Sequence, residues 1–216
     1  MSFLHRTVGL VGLTGLLAVT CGGRAARAEE ADVAGRSDLR RVEVKSVWKS
    51  SDDPRIISAL NIVFLKDLKT QRLLPVWIGH FEADAIRAKL NGAVSPRPMT
   101  HDLLKSLVDA IDARVRYVLV DALRPTGVQD GGTYFAKSSL ALKGGGTAEV
   151  DSRTSDAIAL SVRTGTPIYV ASGIMEANSI ADEGEIEREL LGEEGTGQKA
   201  PARPEKKEKH PSNSYY

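Results

Sequence analysis

Residues 151–170, DSRTSDAIALSVRTGTPIYV, decide how the chain is read. Asp151, Arg153, Ser155 and Asp156 stand directly before a run of small and apolar residues, 157–162. That run reads as a helix apolar on nearly all sides, and so buried. Gly165 stops the helix, and PIYVA at 167–171 reads as a short strand after it. Polar groups at the mouth of a buried helix are placed to meet a ligand. They also have a plain structural use: Thr154 or Ser155 can cap the helix, and Asp156 suits the positive end of its dipole. The stretch alone leaves both uses open.

Working outward, the chain before it alternates in strand fashion. Residues 41–50 (RVEVKSVWKS) alternate apolar and polar, residues 55–65 (RIISALNIVFL) are richer in apolar side chains and read as a more central strand, 66–71 is a turn, and LLPVWI at 73–78 begins a third strand. Pro75 cannot donate to a ladder, so that strand lies at an edge or starts there. The three make an antiparallel meander. Residues 80–90 (HFEADAIRAKL) have helical period, with Phe81, Ala85, Ile86 and Leu90 on one face. After SPRP at 95–98, Thr100 is the expected cap of a second amphipathic helix whose stripe is Leu103, Leu104, Leu107, Val108 and Ile111. Strands follow at 115–123, 133–142 and 147–150, the last delivering the chain to Asp151. Strands, helices and strands again indicate an α+β fold: a single compact domain with a mixed, mostly antiparallel sheet and three short helices. There is no internal repeat.

Of 216 residues, 42% are apolar, enough for one domain of ordinary size. The expected organisation is a secretory signal at 1–28, a linker at 29–39, the domain at 40–178, and a charged, largely disordered tail at 179–216. His5 and Arg6 precede an uncharged run, 8–20, too short to span a bilayer, and Ala26-Arg27-Ala28 is an A-x-A cleavage site. The mature protein is therefore expected to be exported, periplasmic or extracellular, with no integral membrane span. The single cysteine, Cys21, excludes an internal disulfide; bulky Thr20 before it favours ordinary cleavage over lipid attachment. EIERELL at 185–191 can form a short helix, whereas 192–216 has too few apolar residues to offset its ordering entropy. Residues 40–178 carry 19 Lys and Arg against 15 Asp and Glu, and this net +4 permits a polyanionic partner without requiring one.

Two helix mouths carry candidate chemistry. Arg97, Thr100, His101 and Asp102 place an acid–base group and a guanidinium where free helix amides favour anions. Asp151, Arg153, Ser155 and Asp156 repeat this arrangement. If the mouths converge, His101 moves a proton, Arg97 and Arg153 stabilise phosphate charge, Thr100 and Ser155 contact the phosphate, and Asp102, Asp151 and Asp156 hold a divalent cation such as magnesium or manganese. The same residues also serve as caps and dipole complements. Glu82 and Asp84, beside His80, read as dipole complements. The glycines at 144–146 lack the following Lys and helix of a phosphate-binding loop, and G-x-S-x-G and paired cysteines are absent.

Four stretches, in order, carry a family resemblance: LPVWIGHFEADAI (74–86), RPMTHDLLKSLVDAIDARV (97–115), TYFAKSSLAL (133–142) and VDSRTSDAIALSVRTGTPIYVA (150–171). In sequence and spacing they resemble the bifunctional nuclease domain family. The resemblance implies a compact α+β domain, commonly a homo-oligomer, and hydrolysis of DNA and RNA. The matching polar positions are Arg97, Thr100, His101, Asp102, Asp151, Arg153, Ser155 and Asp156. Thr154 departs from the family's usual D-x-R-P-S-D-A, where Pro fixes the approach to the helix. An exported copy is a second departure. The expected function is an exported nuclease; the alternative is a non-catalytic oligomeric module that binds an anionic ligand, nucleic acid or a protein partner.

Overall fold

A parallel strand pair cannot be closed by a hairpin and needs a crossover, usually through a helix. In this protein the stretch 151–170 holds the helix that completes such a crossover, after two further strands. The computed structural model describes residues 33, 36–50, 60–125 and 132–191. The expected signal at 1–28 and the tail beyond 191 lie outside the described residues.

Among the described residues seven strands form one sheet: β1 (Leu39–Lys49), β2 (Asn61–Asp67), β3 (Leu73–Trp77), β4 (Arg114–Pro125), β5 (Gly132–Ala141), β6 (Thr147–Arg153) and β7 (Ile168–Ala171). Five helices accompany them: α1 (His80–Leu90), α2 (Thr100–Ala110), α3 (Thr154–Thr164), α4 (Ser172–Asn178) and α5 (Gly184–Leu191). The strand order is β3-β2-β1-β7-β4-β5-β6. Neighbouring strands are antiparallel except β4 and β7, which run parallel. The α+β fold with a mixed, mostly antiparallel sheet is thus present, with α4 and α5 added to the three expected helices. Pro75 lies in edge strand β3, as its missing N–H requires.

From edge strand β6 the chain crosses the sheet through α3 and returns as β7 between β1 and β4. A helix in that position is covered from several sides. The sheet lies under α3, α1 and α2 pack against it, and residues 154, 155 and 157–161 are buried. Ala157, Ile158 and Ala159 join Val63, Leu65, Val118, Val120 and Val170 in the main core. Gly165 ends the helix with φ 70°, a left-handed conformation that glycine adopts without Cβ strain. Its N–H donates to the Ser161 carbonyl at 2.8 Å. On the opposite face of the sheet Ile62, Phe64 and Leu73 bury Ile186 of α5. Strand β2 is therefore covered on both faces, which explains its unbroken apolar run. Packing does not stop at the expected domain end, Asn178: Ile180 pairs with Leu73, and Ile186 is buried.

Several local expectations are corrected. Neither Thr154 nor Ser155 caps α3; Arg153 is its N-cap residue without a side-chain cap bond, and the Thr154 hydroxyl donates to the Tyr134 carbonyl at 2.8 Å. Thr100 does not cap α2, because the helix begins at Thr100 itself and Asp102 accepts from the Met99 N–H at 3.0 Å. Phe81 and Leu90 are exposed, and α1 instead buries His80, Ala83, Ala85 and Ile86. Small Ala83 on this inner face lets α1 approach its neighbours closely. The leucine stripe of α2 is also outward: Leu103, Leu107 and Ile111 are all more than half exposed, and His101 is the one buried residue of the helix.

Candidate functional site

The starts of three helices supply the candidate site. His101 is the second residue of α2, Asp156 the third of α3, and Glu82 the third of α1. Arg153 closes β6 at the point where the chain turns into α3. His101 Nε2 lies 3.1 Å from Asp156 Oδ1. Arg153 grips the same carboxylate twice, Nε to Oδ2 at 2.8 Å and Nη2 to Oδ1 at 3.2 Å, and its Nη2 also donates to Glu82 Oε1 at 2.6 Å. The two helix mouths marked in the sequence therefore meet through His101, Asp156 and Arg153.

Burial grades across this network. His101 is 7% exposed, whereas the Arg153 side chain is 68% exposed. Burial pushes the Asp156 carboxyl up, but hydrogen bonds from Arg153 and then His101, with their charges, outweigh it and hold the group below the usual aspartate range. Asp156 is therefore ionised at neutral pH. The same bonds to Asp156, then to Glu82, push the Arg153 guanidinium up. Chemically, an ionised carboxylate on one imidazole nitrogen orients the ring and leaves the other nitrogen for proton transfer.

The remaining sequence candidates are not bonded into this network. Asp102 accepts from Arg163 Nε at 2.7 Å as well as from Met99. Arg163 is 4% exposed in its side chain and also donates to the Ala159 and Ala85 carbonyls, so it ties the three helices together. Asp102 is thus committed to packing the helices. Asp151 is exposed on edge strand β6, opposite Lys137 in the ladder. Arg97 lies exposed in a bend before α2, where the flanking prolines suggest an extended segment, and Thr100 is exposed at the helix start. Ser155 is buried beside Asp156.

Comparison with known proteins bears on what this cluster belongs to. Residues 63–183 match the family described as "Bifunctional nuclease domain". The chain belongs to the bifunctional nuclease domain family. It is also 33% identical over 114 residues to two uncharacterized proteins of Mycobacterium tuberculosis, MT1877 of strain CDC 1551 / Oshkosh and Rv1829 of strain ATCC 25618 / H37Rv. Each match covers 53% of this chain and 63% of the relative, so the chain spans less than two thirds of the length of these relatives.

In this bifunctional nuclease domain protein a metal centre built on Asp102, Asp151 and Asp156 does not fit the side chains. Each carboxylate faces different partners: Arg163 and the Met99 amide, the exposed edge of β6, and Arg153 with His101. Among the described residues no group of three or more His, Cys, Asp and Glu side chains is arranged to hold a metal ion. Sequence reasoning missed Glu82 as part of the cluster. One signal for it was Gly79: a Cβ there would stand 2.2 Å from Glu82 Oε2, so glycine leaves the space into which that carboxylate folds. Thr154, the departure from the family's Pro, preserves the approach. Arg153 before it has φ −62° and ψ 142°, the extended geometry a following Pro would impose.

Proposed function

We propose that the protein hydrolyses phosphodiester bonds of DNA, RNA or both, with His101, Asp156 and Arg153 as the working residues. The observation that carries this reading is the 3.1 Å contact between His101 Nε2 and Asp156 Oδ1 beside a doubly bound Arg153. Asp156 accepts the Nε2 proton and fixes the tautomer, so Nδ1 takes a proton from the attacking water. The water oxygen bonds to phosphorus as the bond to the leaving sugar oxygen breaks, and the proton returns to that oxygen. Arg153, together with the positive ends of the helices, stabilises charge on the phosphoryl oxygens. Glu82 holds Arg153 in position. We route no step through a divalent cation, since Asp102, Asp151 and Asp156 each have different partners.

The test is cleavage of single-stranded DNA and RNA by residues 29–216, purified free of contaminating nucleases, in magnesium, in manganese and in chelator. His101→Ala is expected to lower the rate at least ~100-fold, the usual contribution of a positioned acid–base group. Undiminished cleavage by both His101→Ala and Asp156→Asn overturns the assigned site. Activity strictly dependent on added metal would return a cation to the mechanism. A second reading, a non-catalytic module for an anionic ligand or nucleic acid, is favoured by one fact: Arg153 already carries two carboxylates. Calorimetric binding of an oligonucleotide without cleavage would support it.

Two further parts of the proposal concern the setting. Export follows from the signal at 1–28, and the mature N-terminus found by mass spectrometry is expected at Glu29. Assembly as a homo-oligomer follows from the exposed stripe of α2. No helix of the described residues is long and apolar enough to cross a membrane.

A further inference from the structure

A bulge near the start of β4 gathers positive charge on one side of the sheet. Arg114 pairs with Ala141, Val115 with Leu140 and Tyr117 with Ser139, so Arg116 is an extra residue in the ladder. A bulge re-aims the side chains around it. Here Val115 is buried, and Arg114, Arg116 and Tyr117 line one pocket of about 250 Å³. Arg41 and Tyr169, paired with each other across β1 and β7, also line it. Three guanidiniums from two strands therefore meet at one cavity, and among its described lining residues none carries a carboxylate.

A cleft lined by one sign of charge focuses its field and concentrates the opposite charge. Arg116 lies 5.5 Å from the centre of the Tyr117 ring, and that ring stands edge-on to Tyr169 at 6.0 Å. This contact holds one guanidinium in place before a ligand arrives. A guanidinium has five N–H donors, so each arginine can take a phosphate oxygen beside the contacts it already makes. The arginines are not needed to close α3, which ends beside them: the Ser161 carbonyl accepts from the Gly165 and Thr166 N–H groups at 2.8 and 3.3 Å. The cavity is smaller than the roughly 300–1,000 Å³ of small-molecule sites, which suits it to one charged group of a larger ligand. Guanidinium matches phosphate in shape as well as in charge.

We infer that this pocket holds a backbone phosphate of a nucleic-acid strand, gripped by Arg41, Arg114 and Arg116. It lies past the end of α3, about 14 Å along that helix from Asp156, and so anchors the strand away from the reacting phosphodiester. The assignment rests on the nuclease reading for its partner. Free phosphate has the same chemistry, and the test separates the two sources.

The test uses full-length mature protein and a fluorescent single-stranded oligothymidylate of about 12 nucleotides, within the roughly 4–16 typical of single-strand sites. Anisotropy is read as a function of salt in a His101→Ala background, so that turnover does not consume the probe. Arg41 and Arg114 are exposed, so changes there are compatible with folding. Arg114→Glu is expected to weaken binding at least about tenfold. Arg188→Glu, the same change of charge at an exposed site on α5, is expected to stay within about twofold because salt screens a distant charge. Arg41→Gln combined with Arg114→Gln is the second variant, should charge reversal prevent folding. It is expected to flatten the salt slope by at least about 0.7, the share of one phosphate contact on a single strand. In cleavage with His101 intact, Arg114→Glu is expected to raise KM and leave kcat unchanged. Equal effects of Arg114→Glu and Arg188→Glu overturn the assignment, as does an unchanged salt slope in the double variant. Inorganic phosphate is titrated by calorimetry, and an affinity equal to that of the oligonucleotide would make this a free-phosphate site and remove the strand. The two readings fail separately. If His101→Ala cleaves like wild type while the arginine variants lose binding, the catalytic assignment falls and the strand site stands; cleavage that needs His101, with equal binding by the two charge reversals, removes the strand site alone.

Discussion

Asp102 and Asp156 look alike in the sequence, each the third residue of a helix, and the structure gives them different work. The Arg163 hydrogen bond, then the Met99 amide, hold the Asp102 carboxyl below the usual aspartate range. A depressed carboxylate stabilises the fold above its unfolded value of about 3.9 and loses that contribution as pH falls through its folded value. Wild type and Asp102→Asn are therefore expected to differ in Tm above about pH 4 and to converge below it; acid-range thermal melts check this. A constant difference down to pH 2 would show that ionisation of Asp102 is irrelevant. Gly79 has a different constraint. The Cβ of Gly79→Ala falls 2.2 Å from Glu82 Oε2, which must leave its place. Because Glu82 holds Arg153, the variant is expected to lose activity several-fold, on the order of one charge-assisted bond, with Tm shifted by only a few degrees. Equal kcat/KM for the variant and wild type would mean that Glu82 does not position Arg153.

At the scale of elements, hydrophobic pattern revealed what burial controls and failed where a helix turned a face outward. The unbroken apolar run in β2 and the small-residue run in α3 correspond to elements covered on more than one side, and Pro75 marked the edge strand. The leucine stripe of α2 gave the right helix and the wrong inner face, because α2 meets α3 through His101 and Asp102, at the expense of its leucines. Periodicity cannot report that choice, which depends on partners 55 and 61 residues away. The caps failed for a related reason: Thr154 found a carbonyl on β5 that local sequence does not reveal. Arg163 shows the same limit. Its position in the last turn of α3 reads as an ordinary dipole complement, yet it donates to α1, α2 and α3 together. Arg163 is buried but the Asp102 side chain is 39% exposed, so Arg163→Ala strands no buried charge; it removes packing and three hydrogen bonds and is expected to lower unfolding stability by about 2 kcal/mol. Denaturant unfolding measures this, and a loss below about 1 kcal/mol would match an exposed pair instead.

Across the whole molecule, the helices on one sheet face divide between burial and display. α3 is enclosed by the sheet, α1 and α2. α2 in turn leaves Leu103, Leu104, Leu107 and Ile111 open to solvent, with Met99 exposed just before its start. Single exposed apolar residues are ordinary, but four on one helix face form a contiguous patch of the kind that marks an association surface. The same helix places His101 in the candidate site, so a contact that covers α2 also restrains a residue proposed for the chemistry. Pairing of this stripe with its counterpart in a second copy is isologous and closes on itself, which makes a dimer the simplest assembly. In the proposed dimer Leu107→Glu would set like charges face to face at the centre of the contact, and the expected outcome in sedimentation velocity is that wild type sediments as a dimer and the variant as a monomer. Leu68→Glu, at a leucine also exposed (43%, against 55% for Leu107) but in the turn after β2, is expected to leave the oligomer intact. Were wild type and Leu107→Glu to sediment alike, α2 would not be the interface. If the variant becomes monomeric and also loses cleavage while retaining its Tm, the contact supports His101, and assembly and chemistry are coupled through α2.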